Sequence, residues 1–548
     1  MASDTPVTNG TTATKELDVL IIGAGFGGIY SLHKFRLLGF KTHIFEAGSY
    51  LGGVWHWNTY PGARVDSEMP YYQFSMPDVW RKWNWSERFP SGEELQRYFK
   101  HVDQVLGLSK DITYNANVID AKYDESTARW TVTAENGSRA RCKYLICATG
   151  SSFKPHYPNF KNLHSFEGQL IHSTRWPKNA DMGGKRVAVV GSGATAVQCT
   201  QEIAKVANHM TVYIRTASIS LPMFQRPVDE FEQRVHKATY KSMFSRCRHT
   251  ASGLGYDPQP GSVFELSDEE REELWEELWN RGGFNFNQAN YRDFLVDQKA
   301  GELMYEFWAK KTRPRIKNPE KAALLVPEKA PFAFGTKRSS LEQDYYECLD
   351  QDNVCIVDLK ANPIREFTKN GIICQDGIER HFDTVVMATG FDAMTGSLMG
   401  MNIHGKDGLT FRERWQDGVF THLGLCSSGF PNLFMIYGPQ APTAFTNGPV
   451  FIEVQVDMLI DLLHSLEHQG IDSIEAQPEA EKKWKQAIQE ANNKTLLPLT
   501  DSWYMGSNIP GKPREQLNYI GGIAKYEKEC RTAFQAMDGF TLVKSNDQ

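Results

Sequence analysis

The sequence contains no CxxC pair and no Cys/His spacing that would hold zinc, although nine cysteines are scattered through its 548 residues. An odd, unpatterned set of this kind reads as reduced thiols in a reducing compartment. Dithiol redox chemistry and metal binding lose their support, and a cytoplasmic location is expected. Basic residues are not in excess: 60 Lys and Arg stand against 66 Asp and Glu, a net charge of −6. Binding a phosphate backbone needs a basic face, so nucleic acid is not an expected partner. No apolar run approaches the roughly 18–20 residues of a membrane helix, and no membrane partner is expected. The opening MASDTPVTNGTTATK has no apolar stretch of signal-peptide type and reads as a disordered tail over 1–15.

What is present is a large apolar content, 41% of the chain, at a length that predicts two or three domains. The stretch LDVLIIGAGFGGIYSLHKFRLLGF sets an apolar strand, Val19 to Ile22, ahead of Gly23-x-Gly25-x-x-Gly28. A helical pattern follows with Leu32, Phe35 and Leu38 on one face, and the next strand, KTHIFEAG, ends on Glu46. A lone GxGxxG is weak, but between strand and helix, with an acid closing the next strand, it predicts a dinucleotide site. Gly23 permits the tight turn, Gly25 lets a pyrophosphate approach the backbone, and Gly28 allows close helix–strand packing. The helix N-terminus favours the phosphates, and Glu46 suits a ribose diol.

The pattern then returns. KRVAVVGSGATAVQCTQEIAKVANHMTVYIRT gives strand, Gly191-x-Gly193-x-x-Ala196, helix and strand, but Arg215 stands where the first unit has Glu46. A guanidinium pairs with a 2′-phosphate that a carboxylate would repel, so this site is expected to take NADPH; Thr216 offers a hydroxyl beside it. Two such units predict an α/β flavoprotein with two Rossmann-like dinucleotide-binding domains, one for FAD and one for NADPH.

The strands YLICATG (144–150) and TVVMATG (384–390) mark where each domain closes and the chain crosses. The expected division is FAD domain over 16–150 and 390–548, NADPH domain over 151–225 and 331–389, and a helical insertion over 226–330. In the insertion, Leu274, Trp275, Leu278 and Trp279 are spaced for one buried face, and the acidic run from Asp268 to Glu273 reads as a solvated helix start.

Ahead of the second glycine motif lies FEGQLIHSTRWP, residues 166–177, too bulky for an ordinary linker. It fits F-x-G-x-x-x-H-x-x-x-W-P through Phe166, Gly168, His172, Trp176 and Pro177. GGVWHWNTYPGARVD (52–66), PFAFGTKRSSLEQDYYE, ATGFDA and SWYMGSNIPGKPR follow in order. On these motifs the chain, from about residue 15 onward, resembles the Baeyer–Villiger monooxygenases and is similar to phenylacetone and cyclohexanone monooxygenases.

The resemblance implies FAD and NADPH as cofactors and O2 and a small ketone as substrates. NADPH reduces the flavin, a C4a-peroxyflavin forms with O2, and an ester or lactone results. It assigns Arg338 as the catalytic cation, with Asp66 as its carboxylate partner. It implies FAD contacts from Phe26, Gly53, Val54, Trp55, His56, Asp66, Tyr72 and Val118. It places Thr195, Lys337 and Trp503 at NADPH, and gives His172 a hinge role rather than a chemical one. The stretch GPQAPTAFTNGPV (438–450) departs from the phenylacetone enzymes, so Gln440, Thr443, Ala444 and Gly448 are candidates for reshaping the pocket, and the ketone stays open between cyclic, aryl and linear. The competing readings are an S- or N-oxygenating flavin monooxygenase and a flavin redox sensor without turnover.

Overall fold

The computed structural model describes residues 13–544. The tail expected over 1–15 lies outside the described residues as far as residue 12, and Lys15 is already the first residue of a strand.

Two separate parallel sheets organise the chain. In the first, Lys15–Ile22 lies between Thr42–Phe45 and Arg139–Cys147, parallel to both. Ile112–Thr113 extends one side and Leu433–Met435 pairs with Arg139–Cys147. An antiparallel pair, Val118–Asp124 and Arg129–Ala134, continues the sheet outward. The run Val19–Ile22 is buried throughout, as a parallel strand covered on both faces requires. Helix Phe26–Leu37 buries Leu32 and Phe35, but Leu38 does not join them. It lies beyond the last helical residue, where the chain turns at Gly39 (φ +83°), and is exposed.

The second sheet runs Val354–Asp358, His209–Ile214, Arg186–Val190, Thr384–Met387, Gln169–His172, parallel throughout. The supposed linker is therefore a strand. Gln169–His172 pairs with Thr384–Met387, setting His172 opposite Met387. Phe166 is buried with Leu163, Val385 and Met387. The segment expected to act as a hinge over 166–177 thus carries an edge strand, with Ile171 and His172 buried on its two faces.

Between the strands of the second sheet the chain makes a set of helices, among them Glu230–Cys247, Asp268–Arg281 and Gln298–Thr312. Ser267 starts Asp268–Arg281 with a capping box closed by Glu270, which satisfies orphan amides at the N-terminus. Trp275, Leu278 and Trp279 are buried, with Leu274 only partly so. Their rings meet Phe286 and Phe307. The acidic first turns stay solvated, and Glu272 pairs with Lys310 and Glu276 with Lys311 across the helices. Eight of the nine cysteines are buried, Cys355 is exposed, and all nine are free. No group of side chains among the described residues is arranged to hold a metal, and no helix among them is long and apolar enough to cross a membrane.

Candidate active site

The two glycine turns are built alike. Gly23 (φ +100°) follows strand Lys15–Ile22 and Gly191 (φ +132°) follows strand Arg186–Val190. A Cβ on either would collide with a carbonyl: Ala148 O at 2.7 Å for Gly23, Ala388 O at 2.3 Å for Gly191. Those alanines open the two Ala-Thr-Gly motifs, so each motif forms the wall of its own glycine turn. Gly28 is excluded from bearing a side chain by Gly23 O. Gly25 faces Gly53, where a Cβ would lie 2.8 Å from the Gly25 Cα. This bare backbone, at the start of helix Phe26–Leu37, is a cradle that fits a pyrophosphate. The Phe26 ring is committed elsewhere, against Tyr72, Phe74 and Phe99. Only its backbone is free to face a cofactor. Val118 is likewise a core residue of the sheet, and the Val54 side chain is exposed, beside the buried Trp55.

The ends of the second strands carry opposite charge. Glu46 is buried, and its carboxylate accepts the Ala24 and Gly48 amides at 2.6 Å each. Burial pushes its pKa up while those amides hold it down. In the other sheet Arg215 is exposed. Its charge reaches Lys337, whose ammonium is pushed below the usual lysine range by burial and then by Arg215. Neither forms a salt bridge among the described residues. Asp501 offsets the lowering of Lys337 in part, and two cations within reach of one another fit a phosphate monoester. Thr195 and Ala196 lie in the first turn of the adjoining helix, Gly193 caps it, and Ser192 Oγ donates to Thr216 O at 2.7 Å.

Arg338 and Asp66, far apart in the chain, form an ion pair. Arg338 Nη2 donates to Asp66 Oδ2 at 2.5 Å, with the arginine side chain 36% and the aspartate 23% exposed. The Asp66 charge raises the Arg338 pKa well above the ordinary value, against the effect of burial, so the guanidinium is permanently charged. Phe284, from the helical insertion, lies under it at 5.7 Å, and Asn287 donates to Ser339 Oγ at 3.1 Å. The insertion thus builds one wall of the site. The neutral phenols of Tyr504 and Tyr437 lie within electrostatic reach of Arg338, as does Tyr72, whose oxygen accepts the Trp55 indole N–H at 3.1 Å. Sequence reasoning missed Phe284, Tyr437 and Tyr504. No motif spacing marks them, because each comes from a different segment.

The loop 438–450 divides on inspection. Gln440 is not a pocket residue: its side chain accepts from Thr421 N and Oγ1 and donates to Val419 O, pinning the loop from inside. Thr443 donates to Gly438 O at 2.7 Å. Ala444, however, packs with Phe445, Trp503 and Tyr504, on the side of Arg338. His172 stands away from this cluster, its Nδ1 against Thr174 Oγ1 at 2.9 Å and its ring against Tyr157. In the same segment Arg175 covers Trp57 at 4.4 Å, next to His56, whose pKa burial depresses. The C-terminal loop is tied to the crossing near residue 390: Asn508 donates to Phe391 O at 2.8 Å, and Lys512 pairs with Asp392.

Two glycine-turn units, one closed by a carboxylate and the other by cations, together with an arginine held by a carboxylate, define a flavoprotein oxidoreductase that uses FAD and NADP(H). Residues 17–242 match the pyridine nucleotide-disulphide oxidoreductase family. The cyclopentanone 1,2-monooxygenase of a Comamonas species is 43% identical over 96% of this chain and 96% of its own. A Baeyer-Villiger monooxygenase of Pseudooceanicola batsensis is 35% identical over 97% of each. The crystal structure of cyclohexanone monooxygenase from Rhodococcus sp. Phi1 bound to NADP+ superposes with a TM-score of 0.94 at 34% identity, over 97% of this chain and all of that one. The chain belongs to the Baeyer–Villiger monooxygenases.

Proposed function

We propose that this protein inserts one atom of O2 beside the carbonyl of a small ketone, giving an ester or lactone while NADPH is oxidised and the second oxygen leaves as water. The observation that supports the reading is the Arg338–Asp66 ion pair, an arginine held charged by a carboxylate. Residues 16–150 and 390–548 would hold FAD, through the Gly23–Gly28 turn, Glu46 and the Gly53–His56 segment. Residues 151–225 and 331–389 would hold NADPH, through the Gly191–Ala196 turn, Arg215, Thr216 and Lys337, with Trp503 closing over it. When bound, the flavin and the nicotinamide supply the redox chemistry. The chain's own contribution is positioning and charge. Arg338 supplies a cation that cannot titrate away, aimed where negative charge gathers on the reacting oxygen. Asp66 fixes its direction by a charge-assisted hydrogen bond, and the rings of Phe284, Tyr72, Tyr437 and Tyr504 exclude water, which strengthens that charge.

The test is a panel of cyclic, aryl and linear ketones, with NADPH consumption followed and esters detected by mass spectrometry, and an aryl sulfide run in parallel. Ester formation from at least one ketone is expected. Oxygenation of the sulfide with no ketone converted would replace this reading by that of an S-oxygenating enzyme.

A further inference from the structure

Three tyrosines lie within electrostatic reach of Arg338, and their hydroxyls are not equivalent. Tyr437 donates to Thr443 O at 2.5 Å. The Tyr72 oxygen accepts the Trp55 indole N–H at 3.1 Å. The Tyr504 hydroxyl has no hydrogen-bond partner among the described residues. Its neighbour Ser502 Oγ is also partnerless, but that atom is sealed from solvent, whereas the Tyr504 hydroxyl is not one of the sealed atoms. The residue as a whole is buried, 3% exposed.

The ring is fixed. Phe445 lies 4.6 Å away on one side and Trp503 4.6 Å away on the other, and the Tyr504 carbonyl accepts Leu517 N at 2.9 Å. Burial pushes the phenol up to about 12, offset in part by Arg338, so the group keeps its proton at any working pH. A rigid donor, reachable from the site and lacking a partner, next to a permanent cation, is arranged for an oxygen acceptor that the protein does not itself supply. Resting on the ketone reading above, we propose that the Tyr504 hydroxyl donates a hydrogen bond to the substrate's carbonyl oxygen and orients the ketone beside Arg338. That oxygen gains negative charge as the carbonyl carbon is attacked, so the same bond strengthens as the reaction proceeds. It also favours carbonyl substrates over sulfides, whose sulfur is only a weak acceptor.

Tyr504→Phe removes one oxygen atom and keeps the ring between Phe445 and Trp503, so the holoenzyme should fold. With the ketone that the wild type converts best, kcat/KM should fall roughly 2- to 12-fold, the range expected for one hydrogen bond. Flavin reduction by NADPH and NADPH oxidation without ketone should stay at wild-type rates. An unchanged kcat/KM for the ketone would overturn the assignment. So would a fall in flavin reduction that matches the fall in ketone turnover, since that marks a structural loss. A wild type inert towards every ketone would instead strike the proposed function itself.

Discussion

Arg338 and Asp66 are 272 positions apart in sequence, and their side chains meet at 2.5 Å. The contact joins the segment that follows helix Gln298–Thr312 to the end of the GGVWHWNTYPGARVD stretch.

Arg338→Ala should separate the half-reactions. Reduction of bound flavin by NADPH should persist, while ester formation falls by about 10²–10³, the usual loss for one preorganised electrostatic contact, with hydrogen peroxide released instead. Arg338→Lys should recover little, since a lysine lacks the planar fork that meets both Asp66 and the face of Phe284. Anaerobic stopped-flow reduction, then aeration with ketone and product analysis, is the measurement. Near wild-type ester yield from the alanine variant would remove Arg338 from the chemistry.

Arg215 and Lys337 should act on coenzyme choice. Losing one charge-assisted contact to a phosphate costs about 1.5–3 kcal/mol, so Arg215→Ala should raise KM for NADPH roughly 10- to 150-fold and leave that for NADH nearly unchanged. Lys337→Ala should move the same way, and because the two cations are neighbours the double variant should not be additive. Equal losses with both coenzymes would show that the pair is structural.

His172 should report on stability rather than chemistry. Burial depresses its pKa from 6.5 to about 4. The unfolded chain therefore binds a proton that the folded chain refuses, and stability falls as pH drops from about 6.5 to 4. The contribution is on the order of 3 kcal/mol at the acid end. In urea titrations at pH 7 and 4.5, His172→Gln should narrow the gap between the two conditions. The other histidines that burial depresses, His33, His43, His56, His156 and His422, should retain a remainder. A gap that does not change in His172→Gln would refute the assignment.

Glu453 carries the opposite sign. It is buried in helix Gly448–His468, accepting from Ser75 N at 2.8 Å and Ser75 Oγ at 2.5 Å, and burial raises its pKa to about 7. Arg248 favours its charged form, while Asp457, paired with Arg248, opposes it. A raised acid pKa stabilises the fold below about 4.5, and that stability is lost as pH rises through 7. Glu453→Gln should keep the hydrogen bond from Ser75 Oγ and flatten stability between pH 4.5 and 7. A variant whose stability tracks the wild type across that range would show that Glu453 does not titrate there.

The sequence by itself determined the two dinucleotide units, the opposite charges that end their second strands, and the family. These are local matters: a strand, a glycine turn and a helix are contiguous, and the collisions that forbid side chains at Gly23 and Gly28 arise within or just beside one unit. It also supplied Arg338 and Asp66, but only through resemblance, since nothing in their spacing states that they meet. Tertiary structure decided the rest. It turned residues 169–172 from an expected hinge into an edge strand, because Thr384–Met387 offers a free row of backbone groups that a nearby extended segment satisfies. It spent Gln440 on pinning its own loop and the Phe26 ring on core packing. It gathered Phe284, Tyr437 and Tyr504 around one guanidinium from three segments whose separation along the chain carries no periodic signal. A side chain's role follows from what surrounds it, and for these residues the surroundings come from distant parts of the chain.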